Sequence, residues 1–104
     1  MAKELKGVQL SPGAQADLAE IWAYLDEHIG ANKADRWVDA LTERFVLLDD
    51  NPRVGKLRPD LGRGRRSFVF GDYVVIYAVR DDWADILRVV HGSREIKPKG
   101  SHSE

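Results

Sequence analysis

The residues best suited to chemistry in this chain are His91, Arg94 and Glu95 near its end, with Arg58, Arg65 and Arg66 in its middle. A histidine or glutamate can move a proton, and an arginine can stabilise developing negative charge, so the set could serve general acid–base catalysis. No Ser/His/Asp arrangement, paired-carboxylate spacing, phosphate-cradling glycine motif or metal signature accompanies them. A lone histidine at the end of a strand is more often a hydrogen-bonded structural group than a catalyst. The expectation is therefore no catalytic residue, no metal site and no cofactor.

The charge pattern points to binding instead. A net charge of −1 conceals two unlike halves: residues 1–51 carry 5 bases and 10 acids, residues 52–104 carry 11 and 7. Between Arg53 and Arg66 stand Arg53, Lys56, Arg58, Arg63, Arg65 and Arg66 against the single acid Asp60. Such a cluster suits an anionic partner, either nucleic acid or an acidic peptide, although a solvated arginine-rich loop would look the same. With no cysteine there is no disulfide or thiolate site. No run approaches the roughly 18 apolar residues of a membrane span. The start, MAKELKG, lacks the apolar stretch of a secretory signal, so a cytoplasmic location is expected.

The elements that would position these groups follow from periodicity. Residues 65–95 hold three runs rich in Val, Ile, Phe and Tyr, broken at Gly71-Asp72 and Asp81-Asp82, the pattern of a three-stranded antiparallel meander. Upstream, Lys3 to Leu10 reads as an edge strand. Ser11 and Pro12 open a helix with the stripe Ala14, Leu18, Ile21, Trp22, Leu25 and Ile29, and Gly30 stops it. Asn32 is placed to cap a second helix carrying Ala34, Val38, Leu41, Phe45 and Leu48, ended by Pro52. The pair forms an antiparallel hairpin that lids the sheet, with Trp22, Trp37 and Trp83 as packing groups. Arg53 to Gly64 reads as a loop or frayed strand.

Strict alternation puts Ser67 and Val69 opposite Arg66, Phe68 and Phe70, and Leu87 and Val89 opposite Ile86, Arg88 and Val90. Both faces of the strands are largely apolar, yet one hairpin covers only one face. The other is expected to be a partner's docking groove, with Arg80 and Arg88 nearby. Residues 1–95 make one domain, and residues 96–104 read as a polar tail.

The segments LSPGAQADLAEIWAYL, NPRVGKLRPDLGRGRRSF and YVVIYAVRDDWADILRVVHGSRE, in this order from about Val8 to Glu95, closely resemble the ParE branch of the RelE/ParE toxin superfamily. The resemblance implies an α+β fold, an N-terminal strand and antiparallel helical hairpin packed on a small antiparallel sheet. It also implies the toxin half of a type II toxin–antitoxin module, of the kind associated with plasmid stabilisation. The partner would be a ParD-like antitoxin with a DNA-binding N-terminal part and a C-terminal segment that wraps the toxin. DNA contact would come only through that antitoxin, and no membrane is involved.

RelE-like members cleave mRNA on the ribosome with basic side chains, and those positions fall near Arg66, Phe68, Val74 and Arg94 here. Phe and Val can neither stabilise a phosphorane nor move a proton. The ParE-like reading, inhibition of DNA gyrase by binding, is therefore favoured over a ribosome-dependent endonuclease or a non-toxic binding module. Antitoxin contacts are expected at Arg58, Arg66, Phe68, Val74, Ile76 and Arg80, and target contacts at Arg88, His91 and Arg94.

Overall fold

Ser11 is where the strand–helix register of the whole domain is set. In the computed structural model, which describes residues 7–92, its hydroxyl oxygen accepts from the Ala14 amide at 3.1 Å and donates to the Leu87 carbonyl at 2.9 Å. Its own amide donates to the Ile86 carbonyl at 2.9 Å. One residue thus caps a helix and pins that helix to the last strand. The preceding strand β1 is Val8–Leu10, and the helix α1 is Pro12–Ile29, with Pro12 in its first turn.

Gly30 alone separates α1 from the second helix, α2 at Ala31–Asp50. Its φ of 95° reverses the chain in one step, a conformation that a side chain would strain. It ends α1 and begins α2, which has no side-chain cap. The capping role expected of Asn32 is therefore corrected, because Asn32 already lies inside the first turn of α2. Trp22 Nε1 donates to Asp35 Oδ1 at 2.8 Å and ties the two helices together.

The remaining strands are β2 (Lys56–Leu57), β3 (Arg65–Phe70), β4 (Tyr73–Arg80) and β5 (Trp83–His91), with a short 3-10 helix at Pro59–Leu61. They form a five-stranded sheet in the order β1-β5-β4-β3-β2. The α+β architecture expected from the sequence is the one observed, with β3 to β5 as the antiparallel meander. β1 joins the edge of β5 in parallel, so the full sheet is mixed. The stretch from Arg53 to Gly64 contributes the other edge, β2. Two-residue turns at Gly71-Asp72 and Asp81-Asp82 connect the meander, with Gly71 at φ 59° and Asp81 at φ 54°.

Alternation along β5 is broken by a bulge. Ile76 pairs with Arg88 and Tyr77 with Ile86, so Leu87 has no partner across the strand. The extra residue lets Ile86 and Val89 both turn inward, at 0% and 2% exposure. The expected grouping of Ile86 with Arg88 and Val90 is corrected accordingly. Ile21, Leu41, Phe45 and Leu48 of the helices pack on Val75, Tyr77, Ile86 and Val89 to form the core. Trp37 sits at its rim, edge-on to Phe70 and Tyr73 at 5.4 and 5.2 Å.

Candidate functional site

The register divides the expected contact residues between two surfaces. Val69 pairs with Val74, Ser67 with Ile76 and Val74 with Val90, so these side chains share the sheet face turned away from the helices. Val69 is 65% exposed, and Val74, Ile76 and Val90 are half-buried. Arg80 lies on this face as well and approaches Asp85 at 3.8 Å. Val74, Ile76 and Arg80 are thus brought together.

Phe68 and Arg66 are placed elsewhere, and their grouping with Val74 and Ile76 is corrected. Phe68 pairs with Val75 and Arg66 with Tyr77, both core residues on the helix side of the sheet. The Arg66 guanidinium donates to the carbonyls of Arg53 and Gly55 at 3.0 and 2.8 Å and so shapes the loop before β2. Arg66 and Phe68 cannot join Val74 in one catalytic constellation, because the sheet stands between them. The side chain of Arg94 lies outside the described residues.

Arg58 reaches the far face, where it donates to Ser67 Oγ at 3.2 Å. It also grips Asp60 through Nε and NH2 at 3.0 and 2.8 Å. That bidentate hydrogen bond raises the Arg58 pKa and holds the Asp60 carboxyl below its usual range. Arg58 is therefore a cation already answered by an acid of its own chain.

Arg88 and His91 meet in an open groove between α1 and β5, along with Glu20, Tyr24, Trp37 and Tyr73. β1 ends at Leu10, which leaves this end of β5 to be covered by α1 side chains. Asp17 takes that role, receiving Arg88 Nε and NH2 at 2.7 and 3.0 Å. The same carboxylate raises the pKa of Arg88.

A second groove, of about 430 Å³, lies on the helix side between the C-terminal half of α2 and β3. Arg44, Leu47, Leu48, Val54 and Phe68 line it. The Arg44 guanidinium stands over the rings of Phe68 and Phe70 at 6.0 and 5.4 Å. Leu47 and Val54 were not singled out by sequence, yet they are 60% and 61% exposed. A leucine off the buried stripe of α2 was the available signal.

Burial raises the pKa of the Tyr77 phenol. The Tyr77 hydroxyl is enclosed and accepts from the Gly55 amide at 2.8 Å. Among the described residues no cluster of His, Cys, Asp or Glu could hold a metal ion, and no helix is long and apolar enough to cross a membrane.

A strand and helical hairpin laid on a five-stranded sheet, with apolar surfaces edged by arginine, define a RelE/ParE-like α+β domain. Residues 8–96 match the family described as ParE toxin of type II toxin-antitoxin system, parDE, and the chain belongs to that family. It is 30% identical over 88 residues to Toxin ParE1 of Mycobacterium tuberculosis, spanning 84% of this chain and 90% of that protein. It is 32% identical over 89 residues to Toxin ParE1 of Caulobacter vibrioides, spanning 86% and 92%. The solved structure titled "Chromosomal ParDE TA system from P. aeruginosa" superposes with a TM-score of 0.72 at 24% identity, covering 84% of this chain and 96% of that one. That likeness shares the fold.

Proposed function

We propose that this chain is a cytoplasmic toxin that inhibits DNA gyrase by binding it, without catalysis, and that a ParD-like antitoxin neutralises it. One observation carries the reading. The centre of the far sheet face is Val69, Val74, Ile76 and Val90, while Arg58, Arg66 and Arg88 are held by Asp60, by backbone carbonyls and by Asp17. Valine and isoleucine offer a partner dry contact area and offer a scissile phosphate nothing. The names of the ParE1 relatives and of the ParDE structure support the toxin–antitoxin setting. The antitoxin would lie across the open sheet face and along the flank of the helical hairpin.

The test adds the purified chain to gyrase supercoiling and, separately, to a translation reaction with labelled mRNA. Supercoiling is expected to stop while the mRNA stays intact. Cleaved mRNA with supercoiling unaffected would replace this reading with the endonuclease one. Growth unimpaired by induced expression without the antitoxin would favour a non-toxic binding module.

A further inference from the structure

We infer that the groove between α1 and β5 is covered by the chain's own C-terminal segment, with Ile96 on its aromatic wall and Arg94, Lys97 and Lys99 answering Glu20 and Asp72. The groove, of about 880 Å³, is an overhang left by unequal element lengths. α1 and β5 run in the same direction, since Ser11 bonds to Ile86 and Leu87, and Asp17 bonds to Val89. The strand stops at His91, in the groove it shares with Tyr24 and Leu25, while the helix continues to Ile29. Past that point no described strand lies beneath α1, and Tyr24, Leu25, Trp37 and Tyr73 wall the opening. Tyr24 is left 55% exposed.

Position, charge and tether select this occupant. Gly92, where the described chain ends, donates to the Asp72 carbonyl at 2.7 Å, and Asp72 lines the groove, so the segment that follows starts at its rim. Residues 93–99 can span up to roughly 23 Å at about 3.3 Å each, against about 6 Å of helix from Glu20 to Tyr24. The charges are complementary. Arg88 in the lining is already held by Asp17, whereas Glu20 and Asp72 form no ion pair among the described residues. Residues 93–99 carry Arg94, Lys97 and Lys99 against Glu95 alone, and Ile96 supplies an apolar side chain for the aromatic wall. Exposed ion pairs are individually weak, but the covalent tether makes this docking intramolecular, at an effective concentration that a free basic peptide would not reach. Pro98 disfavours a helical Lys97, which suits an extended path along the groove. A partner reaching Arg88 or His91 would first displace this segment.

The test uses the full chain, in which Gly100→Cys supplies a single thiol for a nitroxide label because the sequence has no cysteine. Amide and indole NMR signals are compared with the label oxidised and reduced. The signals of Glu20, Tyr24 and Leu25 and of the Trp37 indole are expected to fall below half in the oxidised state, with Leu57 on the opposite sheet edge unchanged. Lys97→Glu with Lys99→Glu, and separately Glu20→Lys with Asp72→Lys, should each at least double the surviving intensity. All four substitutions together should restore the original broadening, and thermal melts check that each variant is folded. Broadening that ignores both charge reversals, or that the combined variant does not regain, overturns the inference. Broadening of an isotope-labelled chain by a separate nitroxide-bearing chain would assign the segment to a second copy and likewise overturn it. The readout needs neither antitoxin nor gyrase, so its outcome is independent of the toxin reading.

Discussion

Asp17 and Val89, 72 positions apart in the chain, are joined by a hydrogen bond from the Val89 amide to Asp17 Oδ2 at 2.8 Å. The same carboxylate holds the Arg88 guanidinium, so one α1 side chain satisfies both a backbone donor and a cation just after the bulge in β5. The bulge turns Ile86 and Val89 inward together, and β1 stops at Leu10 before it could pair with this part of β5. Asp17 replaces the missing strand.

Removing that carboxylate therefore costs more than removing the arginine it holds. Asp17→Ala leaves the part-buried Val89 amide without its acceptor, and the expected loss is about 1–3 kcal/mol in urea unfolding. Arg88→Ala keeps the Val89 bond and breaks only a pair whose arginine is largely exposed, so its loss is expected below about 1 kcal/mol. Equal losses in the two variants would show that the ion pair, and not the backbone bond, fixes the bulge.

Tyr77 gives the domain an alkaline limit. Burial raises its pKa above 10.0, opposed in part by the Gly55 amide and by Arg66. A folded-state pKa above the unfolded value means that the neutral phenol is favoured by folding; this stabilisation is complete below pH 10.0 and lost as pH rises through the raised value. Tyr77→Phe should remove this limb from the pH–stability profile. At neutral pH it leaves the buried Gly55 amide without its acceptor, for about 1–3 kcal/mol. Gly55→Ala attacks the same contact from the other side, since a methyl there would overlap the Tyr77 hydroxyl and stand 3.0 Å from the Ser67 carbonyl.

Much of this fold could be read from local signals. Ser11-Pro12 and Gly30 mark helix ends because their backbone preferences act on the spot, and Gly71-Asp72 and Asp81-Asp82 mark turns for the same reason. The bulge could not be read, because Ile86, Leu87, Val89 and Val90 are all apolar and support either phase of alternation. β2 leaves no definite strand signal in the sequence, because two residues carry no period. Phe68 and Val74 look alike in the sequence because both faces of β3 and β4 are apolar; the Phe68 to Val75 register separates them. Asn32 was a plausible cap that the one-residue junction at Gly30 made unnecessary. The Arg58–Asp60 and Arg88–Asp17 pairs, which decide whether those arginines are free, depend on the tertiary path.

The Arg58–Asp60 pair sets how readily Arg58 can meet an antitoxin carboxylate. Asp60→Asn removes the internal competitor and leaves the guanidinium beside Ser67. If Arg58 contacts the antitoxin, affinity should rise a few-fold at low salt, and its salt dependence should steepen as an additional free cation takes part. The measurement is calorimetry of wild type and variant across a salt series. Unchanged affinity and slope would place Arg58 outside the interface.

The geometry also predicts the outcome of placing basic residues at Phe68 and Val74, the two apolar positions near which the resemblance would put the ribonuclease groups. Phe68→Lys combined with Val74→Arg supplies the charges, but Phe68 faces the helices and Val74 the far side of the sheet. A phosphodiester cannot touch both. A positioned acid or base contributes roughly 10²–10⁴-fold only within hydrogen-bond reach of the reacting atoms. The doubly substituted chain should therefore leave mRNA intact in a translation assay, while Phe68→Lys alone loosens the Phe68–Tyr77 ring contact at 6.1 Å and lowers the melting temperature. Ribosome-dependent cleavage by the double variant would require the two positions to share a surface, which the pairing of Phe68 with Val75 and of Val69 with Val74 does not allow.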